Sequence, residues 1–219
     1  MKQDIQKILV IGANGTTGQI ICNILDDSPG YRPVAMIRKE SQKEHFEKRN
    51  IRTVIGDLEG DFEHALENID RVIFAAGAGG SSSEEKTIAV DQEGAKRSVD
   101  FAKKYHIKKF VMLSSMGAEN PDKDSKLYRY LKAKHNADEH LKNSSLNYTI
   151  VRPGGLTDKE GTGKIQAEES FDEVGGISRE DVAHTLVHVL ASNIAPNSYF
   201  EIVKGDDDVN VAIEKLSNS

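Results

Sequence analysis

Short apolar runs alternate with amphipathic stretches along nearly the whole chain. Residues 7–11 are one lysine followed by a continuous apolar run, and they end on a glycine. This pattern predicts a strand buried on both faces, and 33–37, 52–55, 71–75, 109–113 and 148–151 repeat it. Between these runs the apolar positions follow the helical period, predicting helices over 16–25, 84–105 and 126–141. Further on, Ser178 stands as an N-cap ahead of a helix over 179–191. A last strand over 198–203 and a last helix over 209–216 close the pattern. Strand–helix alternation of this kind predicts an α/β fold with a doubly wound parallel sheet covered by helices on both faces. The stretch 157–170 is polar, carries Gly161 and Gly163 and has no period, so it is expected to be a mobile loop.

Composition adjusts this picture only a little. The 219 residues suit one domain, 1–219, with 152–219 completing its substrate side. Charged residues make up 29% and hydrophobic ones 37%, an ordinary soluble balance. The net charge of −6 gives no electrostatic footprint for nucleic acid or an anionic membrane. Lys103, Lys104, Lys108 and Lys109 are expected at a solvated helix end. The single cysteine, Cys22, sits among Ile20, Ile21, Ile24 and Leu25 and reads as core. It permits no internal disulfide, which suits a reducing, cytoplasmic setting. The first residues lack the pattern of a secretory leader, and no apolar run reaches membrane-spanning length.

The candidate chemistry begins at Gly12-Ala13-Asn14-Gly15-Thr16-Thr17-Gly18. A strand that runs into G-x-x-G-x-x-G and then a helix is the Rossmann-type arrangement for a dinucleotide. The first glycine makes the turn, the second lets backbone approach a pyrophosphate, and the third packs helix on strand. The free N–H groups of the helix N-terminus, with Thr16 and Thr17 hydroxyls, would meet the phosphates. Arg38 and Lys39 stand about twenty residues on, where an NAD-preferring site carries a carboxylate. A guanidinium there suits a ribose 2′-phosphate, so the expected cofactor is NADP(H).

Two helices carry polar residues on apolar faces. Leu127, Leu131 and Leu141 define one such face, and Tyr130 and Lys134 fall within it. An ammonium one turn away favours a phenolate, which suits the tyrosine to proton transfer. The same spacing also fits a buried tyrosine beside a lysine that reaches solvent. Asp91 lies on the stripe made by Ile88, Ala95, Val99 and Ala102, where it needs donors from backbone or a cofactor-site network. His184 and His188 are four residues apart beside Asp181. They are expected to project to solvent, and the H-E-x-x-H glutamate is missing, so no metal is expected.

Taken together, these residues resemble an atypical short-chain dehydrogenase/reductase. The likeness is to the small NAD(P)H-binding type, sometimes labelled epimerase or dehydratase, and to the flavin and biliverdin reductase branch. It runs essentially end to end, on GANGTTG at 12–18, GDL at 56–58, AAGAGG at 75–80, VMLSSMGA at 111–118, YLKAK at 130–134, TIVRPGGLTD at 149–158 and ISREDVA at 177–183. The resemblance implies that Arg38 meets the 2′-phosphate, Asp57 and Leu58 border the adenine, and Ala76 and Gly77 pass the ribose and phosphates. It implies that Lys134 holds the nicotinamide ribose and that the backbone of Pro153, Gly154, Gly155 and Leu156 borders the nicotinamide. Ser115, Tyr130 and Lys134 match the superfamily's catalytic residues, and Ser114, adjacent to the first, is expected to border the cofactor. Asp91 stands where other branches carry a catalytic asparagine, and an ionised aspartate cannot donate. The implied reaction is hydride transfer to a carbonyl, quinone or flavin-like small molecule. Two other readings stay open: a non-enzymatic NADP(H)-binding or redox-sensing protein, and an epimerase or dehydratase. Against the latter, the chain after Val151 is short for a sugar-nucleotide lobe, and it predicts a shallow, open pocket.

Overall fold

The computed structural model describes residues 5–79 and 82–216. Gly80, the last residue of AAGAGG, lies outside the described residues. The chain begins with β1 (Gln6–Ile11), α1 (Thr16–Asp27), β2 (Tyr31–Ile37), the short α2 (Lys43–Glu47) and β3 (Arg52–Ile55). After β4 (Arg71–Phe74) comes a long helical run. It consists of α3 (Glu84–Thr87), a π-helical segment Ile88–Gly94 and α4 (Ala95–Lys104). Then follow β5 (Lys109–Leu113), α5 (Tyr128–Lys142) and β6 (Tyr148–Pro153). The remainder forms β7 (Gly155–Thr157), β8 (Lys164–Glu168), β9 (Gly176–Ser178), α6 (Arg179–His188), β10 (Ser198–Lys204), β11 (Asp207–Asp208) and α7 (Val209–Leu216).

One nine-stranded sheet carries the structure, in the order β11-β8-β10-β6-β5-β4-β1-β2-β3. From β3 across to β10 every pairing is parallel, while β8 runs antiparallel to β10 and β11 antiparallel to β8. β7 and β9 form a separate parallel pair. The sheet is covered on both faces, so Ile8, Leu9, Val10 and Ile11 are all buried. Ile8 and Val10 join the core layer that contains Ile21, Leu25 and Leu186. Leu9 and Ile11 point the other way, to the layer that contains Phe74, Val99 and Leu141. Strand order reverses at β1, with β2 on one side and β4 on the other. The crevice beyond the carboxyl ends of these strands is where such sheets bind ligands.

Four expectations are corrected. The stretch 157–170 is not a structureless loop: it contains β8, held by β10 and β11. Only Ile165 of β8 is fully buried, so its sequence reads as polar, and its pairing depends on residues more than 30 positions away. Lys109 is not at a solvated helix end. It is fully buried at the start of β5, and its ammonium donates to Asn147 Oδ1 at 2.9 Å and to the Tyr148 and Ile194 carbonyls at 3.3 Å. Leu127 is 58% exposed and precedes α5 rather than joining its buried face. Ile88 is exposed because the wider π-helical turn breaks the register of the stripe, whereas Asp91 is buried as expected, together with Val90 and Gly94. Cys22 is core as expected, and burial, with Asp26 nearby, pushes its thiol up to about 12. His184 is exposed and His188 half-buried. Among the described residues no group of three or more His, Cys, Asp or Glu side chains is placed to hold a metal ion.

Candidate active site

The glycine turn joins β1 to α1 at the switch point. Gly12 has φ +88°, and a Cβ there would stand 2.6 Å from the backbone of Ala76. A Cβ on Gly18 would stand 2.2 Å from the Gly12 carbonyl oxygen. Both positions therefore need glycine for the fold itself. Gly15 differs, since its nearest neighbour would be the Gly12 oxygen at 3.4 Å. Gly15 is also the N-cap of α1, which has neither a side-chain cap nor an acidic residue in its first turn. Uncapped N–H groups and the positive end of the helix remain directed at the crevice, a cradle that fits a diphosphate.

Two cavities meet at this cradle. One, of about 310 Å³, is bounded by Gly12, Asn14, Gly15, Arg38, Asp57, Leu58, Ala76 and Gly77. The other, of about 650 Å³, is bounded by Gly15, Thr16, Thr17, Gly18, Asp91, Ser114, Tyr130, Lys134 and Leu156, among others. Gly15, Ala75, Ala76 and Gly77 line both, so the two form one track from the end of β2 to the start of α5. Gln42, which the sequence did not single out, sets the far end: its Oε1 accepts from the Arg38 N–H at 2.9 Å and the Lys39 N–H at 3.2 Å. Lys39, Ser115, Pro153, Gly154 and Gly155 line neither cavity. The Pro153 carbonyl accepts from Met116 N–H at 3.0 Å and pins the segment carrying Ser115 to β6. Gly154 packs against Gly175, whose oxygen would stand 2.1 Å from a Cβ.

Lys134 is the electrostatic centre of the wide cavity. It lies on the buried face of α5 with Leu131, Ala137 and Leu141, and Tyr130 is half-buried one turn before it. Its Nζ is 3.2 Å from Asp91 Oδ1, 3.4 Å from the Ala76 and Leu113 carbonyl oxygens, and 5.8 Å from the centre of the Tyr130 ring. Burial alone would discharge this amine. Tyr130, Asp91 and Asp138 together outweigh that effect, and the ammonium is held above the ordinary lysine range. Asp91 Oδ2 accepts the Ala78 N–H at 2.8 Å. The expected donor to Asp91 is thus the Ala78 backbone N–H, and Lys134 faces its other oxygen as an ion-pair partner. The close approach of Asp91 also explains Gly77, where a Cβ would stand 3.1 Å from Oδ1.

Sequence reasoning missed a second buried cluster. Asp138, one turn beyond Lys134, accepts from Ser114 Oγ at 2.8 Å and from Arg152 Nε at 3.0 Å. Arg152 also pairs with Glu119 at 2.5 Å. Burial raises the Asp138 carboxyl above its usual range, against the opposing pull of Arg152 and Ser114. The available signal was an aspartate at the helical spacing of Leu131, Lys134 and Leu141. The Ser178 cap was foreseen and forms, donating to Asp181 Oδ2 at 2.8 Å and accepting from the Asp181 N–H at 2.9 Å.

A glycine-rich turn at a sheet switch point, an uncapped helix and a joined pair of cavities define a Rossmann-type dinucleotide-binding protein of the atypical short-chain dehydrogenase/reductase fold. The chain belongs to the NAD(P)H-binding family, whose model matches residues 12–193. A Bacillus subtilis protein named an uncharacterized sugar epimerase is 39% identical over 214 residues, covering 96% of this chain and 100% of that one. The solved structure of a Bacillus halodurans protein, provisionally named an NAD-dependent epimerase/dehydratase, has 39% identity. It superposes with a TM-score of 0.92, covering 96% of this chain and 100% of that one. Sanguinarine reductase of Eschscholzia californica is 28% identical over 241 residues, covering 89% of this chain and 88% of its own length.

Proposed function

We propose that the protein is an NADP(H)-dependent oxidoreductase acting on a carbonyl, quinone or flavin-like small molecule. The observation that carries the reading is the half-buried Tyr130 beside the buried Lys134–Asp91 pair, at one end of a cavity whose other end is the uncapped glycine turn. When bound, the reduced nicotinamide supplies the hydride. Tyr130 holds a proton at Oη for the substrate oxygen, and Lys134 keeps a positive charge beneath it. Asp91 acts as acceptor and counter-ion for Lys134, in place of a donating asparagine. The Ser114 hydroxyl is taken up by Asp138. Ser115 lines neither cavity and its Oγ donates to the Met116 carbonyl oxygen at 3.4 Å, so the proton chemistry rests on Tyr130 and Lys134 rather than on a serine. Arg38, exposed at the end of β2 beside Gln42, supplies the preference for a 2′-phosphate.

Replacing Tyr130 with phenylalanine is expected to lower kcat by about 10²-fold or more while leaving the NADPH dissociation constant unchanged. Turnover at the parent rate would sink the assignment. The Arg38→Ala variant should bind NADPH at least about tenfold more weakly, as read by nicotinamide fluorescence, with NADH binding unaltered. Equal losses for both cofactors would remove the NADP preference. A second reading, an NADP(H)-binding protein without turnover, is favoured by the engagement of Asp91 as an acceptor. It predicts that Tyr130→Phe leaves every measurable property intact.

A further inference from the structure

The outer wall of the wide cavity takes no part in the proton chemistry above. It is built by Lys126, Leu127 and Arg129, just ahead of Tyr130, and by Leu156 and Arg179 from the C-terminal part of the chain. Leu127 is 58% exposed and Leu156 38% exposed. Large apolar side chains held at a cavity mouth shed water when covered, so they favour an occupant with an apolar body. The charge on this wall has one sign in excess. Arg129 is matched by Glu84. Lys126 is exposed and has no ion pair among the described residues. Arg179 donates one N–H to Asp158 at 2.8 Å, but the Asp158 side chain is 79% exposed and lies outside the cavity lining. The rest of the guanidinium fork remains for an occupant. This local excess stands on a chain whose net charge is −6, which sets it apart from the general surface.

We propose that the pocket selects an amphipathic anion. A ring-sized apolar body lies against Leu127 and Leu156, and a carboxylate-like group is held by Lys126 and Arg179. The inference rests on the reading of this cavity as the substrate site, and it names the class of substrate. A guanidinium fork matches a planar carboxylate, while the lysine adds a mobile point charge.

A matched pair of aldehydes tests this: 6-formyl-2-naphthoate and its methyl ester share one ring and one carbonyl and differ in charge. Naphthalene fluorescence gives their dissociation constants on full-length protein saturated with NADP+, with no need for turnover. The acid is expected to bind at least about tenfold tighter than the ester. That preference should shrink as salt is raised, while ester binding stays constant. Lys126→Glu and Arg179→Gln should each cut the acid-to-ester ratio by at least about threefold, with NADP+ affinity measured alongside. Equal binding of acid and ester by the parent protein overturns the proposal. So does a ratio that neither substitution moves, or an Arg179→Gln variant that loses NADP+ affinity while keeping the full ratio. NADPH oxidation is read separately. Tight acid binding without turnover refutes hydride transfer and upholds the anion preference. Turnover of both aldehydes at equal kcat/KM upholds hydride transfer and refutes the preference.

Discussion

Of the three glycines in the turn, Gly12 and Gly18 stand where backbone occupies the place of a Cβ, whereas a Cβ on Gly15 would make only a van der Waals contact with the Gly12 carbonyl oxygen at 3.4 Å. This difference separates folding from binding. Gly18→Ala forces a Cβ into the Gly12 carbonyl, and it is expected to cost about 3 kcal/mol in urea unfolding. Gly15→Ala should unfold within about 1 kcal/mol of the parent, because α1 tolerates a Cβ at its cap. It should still weaken NADPH by at least about tenfold, since the added methyl stands where backbone must approach the phosphates. Equal stability of the two variants would refute the distinction. The motif was legible in the sequence, but the separate reasons for its glycines were not, because Ala76 approaches Gly12 only once β4 lies beside β1.

The elements themselves follow local pattern closely, and the departures occur where a partner decides. The expected long helix over 84–105 forms, but a π-helical turn within it moves Ile88 outward and sets Asp91 against Lys134. At the start of α6 three consecutive residues hold the segment ahead of β8. Arg179 pairs with Asp158, Glu180 accepts the Gly161 N–H at 2.8 Å, and Asp181 accepts the Thr162 and Gly163 N–H groups at 3.0 and 2.7 Å. That clamp is why a glycine-containing polar stretch is ordered. Asp181→Ala removes the acceptor for two backbone donors and the cap partner of Ser178, and it should cost about 2–3 kcal/mol. Limited proteolysis of the variant should cut first between residues 158 and 163. Cleavage at the parent rate would show that the clamp does not hold the segment.

At the scale of the whole molecule, Lys109 shows how distant parts of the chain set one group's chemistry. Its ammonium is enclosed by carbonyl oxygens of Tyr148, Ile194 and Ala195 and by Asn147. Burial, with Arg71 nearby, lowers its pKa to about 8 from 10.5. A depressed folded value means that the unfolded chain binds the proton more tightly. The resulting stability is full above about 10.5 and is lost as pH falls toward 8. Unfolding free energy of the parent should therefore rise across that window relative to Lys109→Met, by on the order of 1–3 kcal/mol. Parallel pH profiles for the two proteins would contradict this.

The sequence by itself determined the six strands from β1 to β6, the helices α1 and α5 with the run from α3 to α4, the glycine turn and the spacing of Tyr130 and Lys134. These features follow from local periodicity and from backbone geometry that few residues permit. Only the tertiary structure decided what depends on residues far apart in the chain. It placed β8 in the sheet and Lys109 inside the protein. It turned Ser114 to Asp138, exposed Leu127, and brought Arg179 to the same cavity as Tyr130. Leu127 apart, each of these outcomes depends on an ionic or backbone partner far along the chain, and no local pattern encodes which partner that is.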